Sequence, residues 1–197
     1  PNGDETDRQD PFSGIAEDAR SLAGTGRLVG LFGGGSLAAE AAQVLREAGC
    51  VVEMPDHPLH TEHGVEGEGH LVIDTGDDFY TVGRPHPMVD QTVRCDLIRQ
   101  AGRDPAVGIL LLDVVLGDGA HPDPAPELAA AVEEARAARA DTPLAVIASV
   151  CGTDRDPQDP GRQTRLLAAA GIHVQPSSGR AARVAALCAA AGGSHAG

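Results

Sequence analysis

From about residue 27 onward, the apolar residues of this chain fall into two kinds of segment that alternate. The first kind is a short run with few or no polar interruptions: Leu28–Phe32, Leu71–Asp74, Val107–Val115 and Leu144–Val150, with shorter pieces at Cys50–Glu53 and Ile172–Val174. The second kind has helical spacing. It comprises the Ala-rich Leu37–Ala48 stopped by Gly49, and Val89–Gln100 with Val89, Val93 and Leu97 on one face and Gly102 beyond. It continues with Pro126–Ala140, Pro160–Ala170 stopped by Gly171, and Gly179–Ala190. Proline near a start and glycine just past an end are the expected helix boundaries. Strands buried on both faces read as unbroken apolar runs, because helices cover the sheet above and below. The alternation therefore predicts an α/β fold: a doubly wound, flavodoxin-like parallel sheet of five or six strands with helices on both faces.

Three segments stand outside that alternation. Residues 1–26 read as a polar, acidic N-terminal tail with one short helix near Ser13–Leu22, residues 27–191 as the flavodoxin-like domain, and residues 192–197 as a flexible tail. Met54–Gly69 has no periodicity and reads as a loop. Its His57, His60 and His63 are spaced by three, but a solvated loop explains them better than a metal site, and no metal is expected.

Composition narrows the chemistry. With 42% apolar and only 2% aromatic residues and no Trp, the core must be built from Ala, Val, Leu and Ile. A formal charge of -14 argues against nucleic acid and anionic membranes as partners. A small anionic substrate is still accommodated, since local arginines and helix N-termini override net charge at short range. No Lys occurs, which removes a Walker loop, Schiff-base chemistry and a Ser-Lys dyad. Four scattered cysteines without a CxxC suggest neither a zinc site nor a disulfide framework, and imply a reducing, cytoplasmic compartment. No apolar run reaches membrane-spanning length.

In sheets of this kind ligands sit beyond the carboxyl ends of the strands, and this chain keeps its unusual residues there. Gly33-Gly34-Gly35-Ser36 joins a strand to a helix, so Gly34, Gly35 and Ser36 can offer backbone N–H groups to a phosphate or carboxylate; a tight turn with a cap explains them equally well. Gly83-Arg84-Pro85-His86-Pro87-Met88 braces a cation and an imidazole between prolines, either to recognise an anion or simply to connect two elements. The acids of Asp74–Asp78 can bind a cation or an amino group, cap the turn or hold Arg84, and the last role is favoured for Asp77 and Asp78. The segment Asp113–Asp123 brings Asp113, Gly117, His121 and Asp123 to the rim. It superficially resembles a receiver's phospho-acceptor strand, but the acidic pair and the Lys of receiver chemistry are missing. In Cys151–Gln158, Gly152 and Thr153 can donate to an anion, with Asp156 and Gln158 in support. Cys151 itself reads as a small strand-end cysteine rather than a nucleophile.

Taken together and in order, these motifs resemble the FdrA family. The matching stretches are Gly30–Leu37, Gly69–Asp78, Thr81–Met88, Asp104-Pro105, Leu112–Gly117, His121–Pro124 and Gly152–Gln158, spanning about Leu28 to Leu187. FdrA proteins resemble the α subunit of succinyl-CoA synthetase, which joins a CoA-binding Rossmann domain to flavodoxin-like ligase domains. The resemblance implies that residues 27–191 form a CoA-ligase-type domain handling an acyl or carbamoyl phosphate, a carboxylate or a thioester. It also implies a component of oxamate carbamoyl transfer. No cofactor is expected within this chain; CoA or carbamoyl phosphate would be used with a protein partner carrying the CoA-binding domain. The phosphohistidine of succinyl-CoA synthetase has no counterpart in Cys151–Gln158. Under this reading Arg84 clamps the anion, His86 positions or protonates a leaving oxygen, and Asp77, Asp78 and Asp113 orient those two. The alternatives are a non-catalytic flavodoxin-like subunit or metabolite-binding module and, more weakly, a flavin protein, for which the chain has few stacking aromatics.

Overall fold

The computed structural model describes residues 14–22, 24, 26–55, 69–139 and 141–193. Six strands form one all-parallel sheet: β1 (Arg27–Phe32), β2 (Val52–Glu53), β3 (His70–Asp74), β4 (Val107–Val115), β5 (Ala145–Cys151) and β6 (His173–Gln175), in the order β2-β3-β1-β4-β5-β6. The expected doubly wound, flavodoxin-like architecture is what the chain adopts. Side chains alternate across the sheet. Val29, Leu31, Leu110, Leu112 and Val146 face helices α4 (Thr92–Arg103), α5 (Pro124–Ala137) and α6 (Pro160–Ala169). Leu28, Phe32, Ile109, Leu111 and Ile147 face α1 (Ile15–Ser21), α2 (Gly35–Glu47) and α7 (Ser178–Gly193). With almost no aromatics the helices come in close on alanines: Ala38, Ala41, Ala42, Ala181, Ala182 and Ala185 are buried between α2, α7 and the sheet. Gly30 leaves room for the buried Phe32, since a Cβ there would fall 2.8 Å from its ring.

Three expectations change. The buried face of α4 is not Val89, Val93 and Leu97 but Arg94, Cys95, Ile98, Ala101 and Gly102; Val89 precedes the helix and is exposed. The short helix expected near Ser13–Leu22 forms as α1, but it packs on the domain instead of standing apart in a tail: Ile15 joins the α2–α7 core and Asp18 pairs with Arg180 at 2.7 Å. A short helix α3 (Asp78–Thr81), too brief for periodicity to reveal, follows β3. His57, His60 and His63 lie outside the described residues, as do residues 194–197 of the expected C-terminal tail. Among the described residues no helix is long and apolar enough to cross a membrane.

Because every strand is parallel, the loops after β1, β3, β4 and β5 all leave the same edge of the sheet. They are stitched together there. Thr75 donates to Phe32 O from both its N–H (2.8 Å) and its hydroxyl (2.6 Å), His121 N–H donates to Met88 O at 2.7 Å, and Leu116 N–H to Cys151 O at 2.8 Å. After β1 the chain turns to one face, into α2; after β4 it turns to the other, into α5. The reversal opens a crevice between the ends of β1 and β4.

Candidate functional site

The floor of that crevice is an ion pair with no access to water. Asp113, fully buried in β4, accepts the Gly33 N–H at 2.8 Å through Oδ1 and pairs through the same oxygen with Arg94 Nη2 at 2.9 Å. Arg94 reaches under the glycine loop from α4, donating also to Leu31 O (3.2 Å), Asp113 O (2.5 Å) and Gln91 Oε1 (3.2 Å). Asp113 therefore does not orient Arg84 or His86 as expected; its carboxylate is committed to Arg94 and to the glycine loop. A Cβ on Gly33 would meet Arg94 Nη1 at 3.3 Å, so the bare backbone is what lets the loop lie on the guanidinium.

Above this floor the first turn of α2 opens. Gly34 is the N-cap and offers no capping side chain, so the early N–H groups of Gly35 and Ser36 face the exposed edge, where the helix dipole favours negative charge. Ser36 lies inside the helix rather than at its cap. Asp74, at the end of β3, borders the turn: a Cβ on Gly35 would sit 2.5 Å from its Oδ2. Its Oδ1 accepts the Gly76 N–H at 2.9 Å. His86 meets Asp74 on the same side of Gly76: a Cβ there would fall 2.7 Å from His86 Nε2 and 3.1 Å from Asp74 Oδ1. Met88 N–H donates to His86 Nδ1 at 3.2 Å, so the neutral ring carries its proton on Nε2, toward Gly76 and Asp74. The structure thus brings Gly33–Ser36, Asp74, Gly76 and His86 to one mouth. Arg84 is exposed on the same β3–α4 connection, and among the described residues its guanidinium meets no carboxylate. Asp77 and Asp78 do not hold it: Asp77 caps α3 by accepting Phe79 N–H at 2.9 Å, and Asp78 is the exposed first residue of that helix.

The loops after β4 and β5 are closed upon themselves. Gln158, buried, accepts the Gly117 N–H and donates to Gly117 O and His121 O. His121 is engaged locally: its Nδ1 accepts Asp123 N–H at 3.1 Å and its Nε2 faces Glu127 Oε1 at 3.1 Å. Asp123 is held by Arg162 at 2.6 and 2.9 Å and by Gln163 at 2.9 Å, an arrangement that ties α5 to α6 and draws its carboxyl below the usual range. Thr153 N–H, expected to meet an anion, donates instead to Asp156 Oδ2 at 2.5 Å. Gly152 serves packing, since a Cβ would fall 2.9 Å from Leu116 Cβ. The exposed Cys151 ends β5, beside this turn.

Arg94 and Asp74 are the residues that sequence reasoning passed over as site elements. A lone arginine in a helix reads as solvated surface. The signal was its spacing: residues 94, 98 and 101 form an i, i+4, i+7 stripe in which only Arg94 is charged. Two clefts, of about 410 and 450 Å³, open at the opposite, amino-terminal edge, the larger between Gly102 and Thr142, the smaller beside Arg27, Cys50 and His70.

Fold and edge together define a flavodoxin-like domain with its loop chemistry at the β1–β4 reversal. The CoA-ligase family model matches residues 31–188, and the chain belongs to the CoA-ligase family. It is 36% identical over 154 residues to the uncharacterized protein YahF of Escherichia coli K12, a match covering 76% of this chain and 30% of YahF. Its fold is similar to PH0766 of Pyrococcus horikoshii OT3, with a TM-score of 0.55, 15% identity and coverage of 92% of this chain and 40% of that one. It is similar also to the dinucleotide-forming acetyl-coenzyme A synthetase 1 of Ca. Korarchaeum cryptofilum in its apo form, with a TM-score of 0.59, 13% identity and coverage of 92% and 37%. The same protein in complex with phosphate and ADP gives a TM-score of 0.58. The chain thus spans well under half the length of these proteins.

Proposed function

We propose that this chain is the ligase-type domain of an acyl-CoA ligase-like protein, and that the mouth between Gly33–Ser36 and Asp74–His86 takes the phosphate or carboxylate end of an acyl phosphate. The observation that carries the reading is the single chain of contacts from the open first turn of α2 through Asp74 and Gly76 to the Nε2 proton of His86. A phosphate seated on the α2 turn would meet backbone donors there, with the imidazole Nε2 nearby, beside Gly76 and Asp74. Arg84 is available to clamp from solvent. In transfer to CoA, the thiolate attacks the acyl carbon, a C–S bond forms, the C–O bond to phosphate breaks and phosphate leaves with the electron pair. Fixed donors that meet the growing negative charge on the leaving oxygen lower that barrier. CoA is carried by a partner domain in this reading, in keeping with a chain that spans 30–40% of its relatives. The likeness to FdrA proteins extends the proposal to carbamoyl phosphate as the anhydride and to oxamate as the carboxylate, in the cytoplasm.

The test is an assay of acetyl phosphate and carbamoyl phosphate with CoA or oxamate, with and without the partner domains. An Arg84→Ala/His86→Ala double variant is expected to lose about a hundredfold or more in turnover; unchanged turnover removes both residues from the mechanism. The closed Gly152–Asp156 turn, with no histidine to carry a phosphoryl group, favours a second reading, a binding module without turnover. Calorimetry showing phosphate binding with no reaction in the complete assembly would select it.

A further inference from the structure

Resting on that function, we propose that Arg94 and Gln91 are positioning residues, which hold the glycine loop and the histidine loop in one fixed relation. The path is continuous and buried. Gly33 N–H is held by Asp113 Oδ1 at 2.8 Å; the same oxygen takes Arg94 Nη2 at 2.9 Å; Arg94 Nη1 donates to Gln91 Oε1 at 3.2 Å; and Gln91 Nε2 donates to Pro87 O at 2.8 Å. Pro87 is the residue after His86, and it too is buried. Arg94 and Gln91 are 2% and 3% exposed, so neither touches a ligand on the surface above. The planar guanidinium spans all these acceptors at once, as an ammonium cannot.

The pair is also poorly satisfied for a purely stabilising device. Asp113 Oδ2 and Arg94 Nε are both buried and have no hydrogen-bond partner among the described residues. A buried pair with such gaps is weakly stabilising against a neutral replacement. Its position directly beneath both loops gives it a different value: an anion seated on the α2 turn is registered against the His86 proton, the relation on which transfer depends.

The experiment follows the Gly33 amide and the His86 ring by NMR in the full chain, with inorganic phosphate as the probe. Gln91→Leu cuts the link between Arg94 and Pro87 and leaves the Arg94–Asp113 pair intact. It is expected to shift both signals in ligand-free protein, weaken phosphate binding by about tenfold and move the unfolding midpoint by less than about 3 °C. Gln91→Glu keeps the acceptor for Arg94 and loses the donor to Pro87; it should move His86 and leave Gly33 in place. Arg94→Met/Asp113→Asn retains an acceptor for Gly33 N–H without the charges and should uncouple the loops while the fold persists. The positioning role is overturned if Gln91→Leu moves only its own neighbours and leaves the Gly33 amide where it was, or if it lowers stability with both signals unchanged. Wild-type protein whose Gly35 and Ser36 amides ignore phosphate overturns the proposed function instead, because the coupling is read without ligand.

Discussion

Gln158 grips Gly117 at both ends of its backbone, accepting its N–H at 3.2 Å and donating to its carbonyl at 2.8 Å. Gly117 sits at φ +141°, a conformation costly for other residues. The side-chain amide carries a donor and an acceptor on adjacent atoms, and so serves both groups of Gly117 at once. Gln158→Glu keeps the acceptor but sets a charge against the carbonyls of Gly117 and His121, and should cost about 1–3 kcal/mol in urea unfolding. A cost under about 0.5 kcal/mol would mean that the amide does not hold the β4–α5 loop.

Helices α4 and α5 meet on Gly102, where a Cβ would lie 2.4 Å from Ala135 Cβ and 2.7 Å from its Cα. In an exposed helix Gly→Ala gains about 1 kcal/mol. Here the contact is with backbone and cannot yield, so Gly102→Ala should instead lower stability by about 1–3 kcal/mol. Thermal unfolding decides; a raised midpoint would show that the helices have room to part.

That contact also marks what could be read from the chain and what could not. The sheet was legible because doubly covered strands have no polar side, so Val107–Val115 and Leu144–Val150 announce themselves without any partner. The rim was legible as a set of loops, since parallel strands put every carboxyl end on one edge. Its wiring was not. Asp113 was visible as the one carboxylate in an apolar run, but its partner Arg94 is on another element, and the sequence pointed toward Arg84. Gly152 and Thr153 have the composition of an anion cradle, yet Asp156 takes the Thr153 N–H three residues away. Such competition among neighbouring side chains is settled by geometry that spacing does not carry.

His70 links β3 to β1 by accepting the Leu28 N–H on Nδ1 at 3.0 Å, which requires that nitrogen to be unprotonated. Burial, and then the nearby Arg27, push its pKa below the usual 6.5. The unfolded chain therefore binds the proton at higher pH than the folded one, and stability rises with pH through that window. The interaction is whole above pH about 6.5 and declines below it as the folded value is approached. Urea midpoints measured from pH 7.5 to 5 should fall for the wild type, and the His70→Gln variant should lose the part of that slope due to this residue. Equal slopes in the two proteins would show that His70 titrates as it does in the unfolded chain.

The four thiols divide by environment. Cys95 lies buried between α4 and α5, and its burial pushes it up to about 11; Cys188, buried against α1, is raised for the same reason, and so is half-buried Cys50. Reaction needs thiolate and access. A thiol reagent at pH 7.5 should label exposed Cys151 first, and Cys95 and Cys188 only as the chain unfolds. Rapid native labelling of Cys95 would mean that α4 and α5 open readily.

Gly35→Ala tests the mouth with the smallest possible change. At an ordinary first-turn position alanine would help the helix. Here its methyl would fall 2.5 Å from Asp74 Oδ2. That carboxylate cannot simply swing aside, because its other oxygen holds the Gly76 N–H at 2.9 Å, and Gly76 packs against His86. Relief must come from moving the start of α2 or from breaking the Asp74–Gly76 bond, and either one displaces the proposed anion donors from the imidazole. Stability should drop by only about 1 kcal/mol, whereas turnover of acyl phosphate should fall by about a hundredfold, since misplacement on the ångström scale is enough. Adding Asp74→Ala removes the clash. The double variant should regain the lost stability without regaining turnover if Asp74 is needed to keep Gly76 and His86 in place. Full activity in Gly35→Ala would take the α2 turn out of the site.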